Sequence, residues 1–198
     1  MSKIVLATGN QGKIDEMQTV LQGFGLQVIP QSDFEIFEAV EDGLSFVENA
    51  LIKARHASKL TKLPAIADDS GLEVDALNGE PGIYSARYAS GRDGTGDEAN
   101  NQKLLNSMQG VSRRHARFQC VIVYLQHALD PTPIICQGTW QGLISEQAKG
   151  DNGFGYDPLF YIPELACHSA ELESDKKKTI SHRAKALQKL KEQLKIAM

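Results

Sequence analysis

The stretch Ala65-Ile66-Ala67-Asp68-Asp69-Ser70-Gly71, led by Pro64, constrains this chain more than any other. A short apolar run ends abruptly in two carboxylates, a hydroxyl and a glycine. Read as structure, it is a buried strand delivering acids to a sheet edge. Open α/β sheets collect their ligands outside the carboxyl ends of strands. Adjacent acids at such a point repel each other, and burying them is costly without a cation or other partners. Hard oxygen donors of this kind suit Mg²⁺, above all when a phosphate completes the coordination. The competing reading is a solvated turn, since Asp, Ser and Gly are turn residues.

The N-terminal segment favours the first reading. An apolar strand over Ile4–Ala7 breaks at Thr8-Gly9-Asn10 and continues as Gln11-Gly12-Lys13. A helix follows, with Ile14, Met17, Val20, Leu21 and Phe24 on one face at helical spacing. A glycine-containing strand-to-helix turn leaves backbone N–H groups at the positive end of a helix dipole, where an anion binds readily. Lys13 adds a point charge there. The spacing is too short for a Walker A loop, Ile14 stands where Ser or Thr would follow the lysine, and the pattern is not GxGxxG. Alone, a strand–turn–helix with two glycines is also ordinary architecture.

The 198 residues suffice for one compact α/β domain or two closely joined lobes. Hydrophobic residues make up 41% and charged residues 23%, as in soluble globular proteins, and no apolar run reaches membrane-spanning length. The N-terminus enters a strand without a signal-peptide pattern. A net charge of −4 argues against sequence-independent nucleic-acid binding, which needs many basic phosphate contacts. A single nucleotide needs only a few local cations. Cys120, Cys136 and Cys167 lack metal-ligand spacing; the first two lie within apparent strands and read as buried thiols, which fits a reducing cytoplasm.

Further along, Leu26–Ile29 reads as a second strand and 31–43 as an acidic loop. Ser45-Phe46-Val47-Glu48 forms a capping box opening a helix to about Leu60, with Asn49, Lys53 and His56 along one side. Leu72–Leu77 reads as a separate strand, residues 80–88 as a turn leading into a helical stretch, Gly91–Gly96 as a flexible loop and Glu98–Met108 as a helix. Strands are expected over Arg117–Leu125, Ile134–Trp140 and Gly142–Glu146, in part antiparallel because they arrive consecutively. A final helix spans about Ser181–Lys195, with Ser181 at its N-cap and Ala184, Leu187, Leu190 and Leu194 as its buried stripe. The fold class is α/β, a mixed sheet flanked by helices, with a second lobe from the middle of the chain.

Gly153-Phe154-Gly155-Tyr156-Asp157-Pro158 suggests a second ligand element. In an extended segment Phe154 and Tyr156 share one side, and the glycines let a flat ligand approach, as stacking a purine requires. The alternative is a strand with an aromatic core face. Lys176-Lys177-Lys178 reads as a solvated loop. Ser181-His182-Arg183 places cations at a helix N-terminus, against the dipole, which calls for an acceptor or an anion nearby.

Taken in order, Thr8–Lys13, Glu48-Asn49-Ala50 with Lys53-Ala54, Ala67–Gly71, Gly82–Arg87, Phe154–Asp157 and Ser181–Arg183 closely resemble the inosine/xanthosine triphosphate pyrophosphatase family, in its bacterial branch. The resemblance spans nearly the whole chain. It implies hydrolysis of ITP, dITP and XTP to the monophosphate and pyrophosphate, with Mg²⁺ required. It also implies a homodimer and an elongated, two-lobed single domain over residues 1–198 with a central substrate cleft. Carried over by motif, Thr8, Gly9, Asn10, Gln11, Gly12 and Lys13 hold the phosphates. Asp69 is the catalytic acid and a metal ligand, and Ser70 contacts substrate. Phe154, Gly155, Tyr156, Asp157, Lys177, His182 and Arg183 hold the nucleoside. Lys177 is chosen among its neighbours as the lysine five residues before His182. Many relatives read Glu-Glu-Thr-Gly in the acidic loop; this chain reads Val40-Glu41-Asp42-Gly43, and Glu41 is assigned as the second metal ligand.

The residue chemistry agrees with this implication. Lys13 and Lys53 neutralise phosphate charge, and Asp68 or Asp69 orients or deprotonates the attacking water. An acid bound directly to Mg²⁺ is a poor base, so the two acids are expected to divide these roles. No Ser-His-acid pattern or cysteine motif suggests a covalent intermediate. A cationic donor such as Arg183 bonds a 6-carbonyl and is left unpaired by a 6-amino group, which separates hypoxanthine and xanthine from adenine. The rivals are a nucleotide-binding regulatory module without turnover, opposed by the intact acid pair, and an RNA-binding protein, opposed by the acidic charge balance.

Overall fold

Strand β1 (Ser2–Leu6), helix α1 (Gln11–Gln22), strand β2 (Leu26–Pro30), helix α2 (Phe46–Thr61) and strand β3 (Ala65–Val74) open the chain in a β-α-β-α-β succession. The computed structural model describes residues 2–90 and 94–197. β1 pairs in parallel with β2, from Ser2 opposite Leu26 to Leu6 opposite Pro30, and with β3 through Val5–Ala65 and Leu6–Ile66. Helix α3 (Gly96–Ser107), strands β4 (His115–Leu125), β5 (Ile134–Ile144), β6 (Phe160–Ile162) and β7 (Cys167–His168), and helices α4 (Ser174–Ile180) and α5 (His182–Ala197) complete the order. The seven strands are arranged β2-β1-β3-β4-β5-β6-β7. The β5–β6 and β6–β7 pairings are antiparallel, so the sheet is mixed, as the succession of strands predicts.

The chain divides into two compact units. The first comprises Met1–Asp69, Cys120–Gly138 and Arg183–Met198. Its main core joins Ile4, Leu6 and Ile66 from the strands to Ile14, Met17 and Leu21 of α1 and to Leu187, Leu190 and Leu194 of α5. Each such side chain contributes about 1.5–3 kcal/mol when fully buried. Since β1 lies between β2 and β3, right-handed crossovers place α1 and α2 on opposite faces of the strands. The second unit comprises Ser70–Gln119 and Thr139–His182. Phe118, Trp140 and Phe160 form its aromatic centre, with Phe160 ring centroids 4.6 Å from Phe118 and 5.3 Å from Trp140.

Several expectations are corrected. Asp68 and Asp69 do not end their strand: β3 runs unbroken through them to Val74, so Leu72–Leu77 is no separate strand. The acids do stand just beyond the last residue paired with β1, where the parallel ladder stops at Leu6–Ile66. Likewise β5 is one strand, not two. Gly142 suggested a break, but a Cβ there would lie 2.6 Å from the Phe160 ring and from the Tyr161 carbonyl oxygen, so the glycine admits β6 at close range. The lysine run is not a loop but part of α4; Ser181 ends α4 and immediately precedes α5, the N-cap position expected of it. The buried stripe of α5 includes Ala186 rather than Ala184. The loop read over Gly91–Gly96 lies partly outside the described residues, and Gly96 already belongs to α3. Cys120 and Cys136 are buried thiols, as expected. Among the described residues no helix is long and apolar enough to cross a membrane.

Candidate active site

In the first unit, the turn after β1 is organised by its own side chains. Asn10 is the N-cap of α1, its Oδ1 accepting from the Lys13 backbone N–H at 3.1 Å, and the Thr8 hydroxyl oxygen accepts from the Asn10 N–H at 3.2 Å. The turn donors at Asn10 and Lys13 are therefore already engaged. Gly9, Gln11 and Gly12 are exposed at the positive end of α1, and the Gln11 side chain is turned away onto Asp15.

From this turn Lys13 reaches Asp68, with Nζ 2.8 Å from Oδ2. The Asp68 side chain is fully buried. Burial pushes its carboxyl upward, but Lys13, Arg183 and Lys53 outweigh that and hold it well below the usual carboxylate range. Arg183, 7% exposed, lies with Nε 3.8 Å from the same Oδ2 and Nη1 3.3 Å from Glu16 of α1. Its guanidinium is held firmly protonated: burial opposes the charge, and Asp68 and Glu16 more than compensate.

Asp69 has different surroundings. Its Oδ1 accepts from Lys53 Nζ at 2.9 Å, and that ammonium also lies 3.3 Å from Glu41 Oε2. The Asp69 Oδ2 is buried with no hydrogen-bond partner among the described residues. Burial is the largest influence on this carboxyl and raises it above the usual range despite Lys53. Lys53 is itself raised, because Asp69 and Asp68 outweigh the cost of its burial. The two acids thus do not share one repulsive environment, as the sequence suggested. Consecutive residues of a strand point to opposite faces, and each finds its own cation.

Glu41 is placed by the start of α2. Ser45 Oγ accepts from the Glu48 N–H, and Glu48 Oε2 accepts from the Ser45 hydroxyl at 2.7 Å and from the Leu44 N–H at 2.9 Å. Fully buried Asn49 accepts from the Gly43 N–H at 2.9 Å. A Cβ on residue 43 would lie 2.7 Å from Asn49 Oδ1 and from Glu48 Cβ, so only glycine fits. His56 Nε2 lies 2.8 Å from the Phe37 carbonyl oxygen and ties down the earlier part of the loop.

Glu41 and Asp69 fit a hard divalent cation. Both aim an oxygen at one point now taken by Lys53, and Asp69 keeps a second buried oxygen unused. Among the described residues there is no group of three or more metal-ligating side chains. A cation held by these two carboxylates would complete its coordination with other oxygens, such as those of phosphate or water.

In the second unit, 151–158 is a run of bends and turns rather than an extended segment, with φ of 81° at Gly153 and 62° at Gly155. Phe154 and Tyr156 consequently do not share a face. Phe154 is exposed; Tyr156 is buried and donates its hydroxyl to the Ser85 carbonyl at 2.8 Å. The Phe154 ring lies under Lys177 Nζ, 5.2 Å from its centroid. Lys177 forms a short ion pair with buried Asp157, which also accepts from the Phe154 N–H at 2.9 Å and from the Ser169 hydroxyl at 2.8 Å. Gly155 is pinned by Asp97 and Asn101 of α3. His182 is buried with its ring stacked on Phe118 at 4.9 Å. Ser70 follows Asp69 along β3. Sequence reading also overlooked a Ser-His-acid set: Ser145 Oγ lies 2.7 Å from His168 Nε2, and His168 Nδ1 lies 2.9 Å from Glu171. Glu171 also takes the His168 backbone N–H and so caps a short 3₁₀ turn, which gives the set a structural role.

Residues 4–193 match the Ham1 family, and the chain belongs to it. A dITP/XTP pyrophosphatase from Photobacterium profundum is 60% identical over the full length of both chains. One from Salmonella paratyphi A is 54% identical, covering 98% of this chain and 99% of the relative. A HAM1 protein structure from Coxiella burnetii superposes with a TM-score of 0.94 at 47% identity, covering 98% and 99% of the two chains.

Glu16, Asn49 and Gly43 belong to this arrangement and were missed as site residues. Each left a trace in the sequence: Glu16 as an acid three residues after Lys13 on the same helix face, Asn49 beside Lys53 in the α2 motif, and Gly43 at the end of the Val40-Glu41-Asp42-Gly43 loop.

Proposed function

We infer that this chain hydrolyses deaminated purine nucleoside triphosphates, ITP, dITP and XTP, to the monophosphate and pyrophosphate. Membership of the Ham1 family and full-length relatives named dITP/XTP pyrophosphatase support the activity. The observation that carries the chemistry is Asp69, a carboxylate raised by burial, with one oxygen on Lys53 and the other without a hydrogen-bond partner among the described residues.

Asp69 is the general base in this reading. Its Oδ2 accepts the proton of the water that attacks the phosphorus bearing the nucleoside, and a raised carboxyl is the better base of the pair. Asp68 is too buried and too firmly ionised for that work; it positions Lys13 and Arg183. Lys13, the N–H groups of Gly9, Gln11 and Gly12, and Lys53 hold the phosphates. Glu41 and the Oδ1 of Asp69 would hold Mg²⁺, which would neutralise phosphate oxygens and the leaving pyrophosphate. Because Asp68 is locked between Lys13 and Arg183, the two roles expected of the two acids are here divided between the two oxygens of Asp69 instead. The need for such a cation follows from charge. The cluster sets Lys13, Lys53 and Arg183 against Glu16, Glu41, Asp68 and Asp69, and so offers a polyanion no net positive charge of its own.

Phe154, with Lys177 over its ring, stacks the base, and Gly155, Tyr156 and Asp157 form the turn that presents it. Ser70, His182 and Arg183 complete the substrate contacts, with Arg183 donating to the 6-carbonyl. Two copies of the chain associate as a homodimer. Pyrophosphate release from ITP, XTP, GTP and ATP with Mg²⁺ tests the reading. Strong release from ITP and XTP with weak release from ATP is expected; tight binding of ITP without release would leave a regulatory module instead.

A further inference from the structure

The acidic loop ahead of α2 meets the phosphate turn as well as Lys53. Helix α2 holds it at two points: His56 Nε2 lies 2.8 Å from the Phe37 carbonyl oxygen, and Lys53 Nζ lies 3.3 Å from Glu41 Oε2. Between these points Phe37 and Val40 stand out in solvent, 90% and 80% exposed. Glu38 instead approaches the turn between β1 and α1. Its Oε1 lies 3.5 Å from where a Cβ on Gly9 would stand, so its carboxylate rests against the backbone that the glycine leaves open. The first turn of α1 reads Gln11-Gly12-Lys13, so it is this loop that supplies an acid near the positive end of the helix. All of these residues belong to the first unit.

We propose that Glu38 is an internal anion at the phosphate turn. A carboxylate and a phosphate oxygen seek the same place beside Gly9, so Glu38 competes with any phosphate that enters. A small phosphate held by the turn alone, such as the product pyrophosphate, is thereby released readily, whereas a triphosphate with further contacts displaces the side chain. Glu38 is exposed and lies between the two held points of the loop, so it can swing aside without moving Glu41. The loop then serves the reaction twice, with Glu41 toward the cation and Glu38 against retained product. This rests on the reading of the Thr8–Lys13 turn as the phosphate site.

The test measures the Kd of pyrophosphate and of inosine by titration calorimetry in wild type, Glu38→Gln, Glu38→Ala and Lys13→Ala, with thermal denaturation of each. Two unit charges roughly 4 Å apart in water interact strongly enough to change a binding constant about fivefold. Both Glu38 variants should therefore bind pyrophosphate roughly 3- to 10-fold more tightly than wild type, and inosine equally well. Inhibition of ITP turnover by added pyrophosphate should strengthen by the same factor. The gain should shrink in about 1 M KCl, where the screening length is about 3 Å. Unchanged or weaker pyrophosphate binding in Glu38→Gln would overturn the proposal; a lowered melting temperature alongside it would leave Glu38 as a counter-charge to the helix dipole alone. A gain in Glu38→Ala that is absent from Glu38→Gln would also overturn it, since bulk rather than charge would be responsible. If Lys13→Ala weakens pyrophosphate binding and Glu38→Gln leaves it unchanged, the phosphate turn stands and the role of Glu38 alone fails. If Lys13→Ala leaves pyrophosphate binding unchanged, both fall.

Discussion

Asp68→Asn and Asp69→Asn change neighbouring residues by the same atom and should have opposite consequences. Asp68 is fully buried against Lys13 and Arg183, whose side chains are 17% and 7% exposed. Neutralising it leaves two cations facing an amide. Removing one partner of a buried pair costs about 3–5 kcal/mol; Lys13 can turn partly to solvent, which reduces the expected loss to about 2–4 kcal/mol. For a chain of this size that lowers the melting temperature by about 4–16 °C. The pH dependence has a definite sign. The folded-state carboxyl lies below its unfolded value, so its stabilisation is complete above about pH 4 and fades as pH falls further, toward the folded value. The gap between wild type and Asp68→Asn should therefore be full at pH 7 and narrow in acid. Asp69 lies above the usual range, so its charge is disfavoured in the fold, and Lys53 keeps Glu41 when Asp69 is neutralised. Asp69→Asn should melt closer to wild type yet lose roughly 10²-fold or more in turnover. Calorimetry across pH with a pyrophosphate-release assay measures both. An Asp68→Asn variant melting within about 2 °C of wild type at pH 7, or an Asp69→Asn variant melting lower than it, would refute the division of roles.

Lys13→Ala should weaken binding of pyrophosphate by about 1.5–3 kcal/mol while sparing inosine, as titration calorimetry with each ligand would show. Gly43→Ala forces a Cβ against Asn49 and Glu48, so it should displace Glu41 and raise the Mg²⁺ concentration for half-maximal activity several-fold, on the scale of an overpacked contact. Because the Asp69 base must be ionised and its carboxyl is raised, kcat/KM for ITP should fall on the acidic side at a pH above the usual aspartate value. Chelation by EDTA should abolish pyrophosphate release, and added Mg²⁺ should restore it.

The sequence is most legible where local chemistry decides structure. Helix α2 begins where Ser45 and Glu48 mark it, and α1 buries the face that Ile14, Met17 and Leu21 outline. It is least legible where a glycine serves a neighbour distant in sequence. Gly142 reads as a break because nothing local shows Phe160 against it, and Gly153 and Gly155 read as parts of a strand because their positive φ appears only in the fold. The lysine run hides α4, since its solvated side chains carry no apolar period. Within the site, Lys13, Lys53, Asp69 and Glu41 are recoverable by motif. The role of Glu16 is not, because its partner Arg183 lies on α5, at the other end of the chain.

The separation of Asp68 from Asp69 follows from the period of a strand. Ile66 and Asp68 share one face of β3, and Ile66 packs in the core with α1 and α5, the helices that carry Lys13, Glu16 and Arg183. Ala65, Ala67 and Asp69 share the other face, where α2 brings Lys53. One residue of offset thus selects which helices, and which cations, each acid meets. Had the strand ended at Ala67, both acids would have entered a turn, and no fixed alternation would divide them. Continuation of β3 to Val74 is therefore a condition of the proposed chemistry, in which one carboxylate is a permanent counterion and its neighbour takes up a proton.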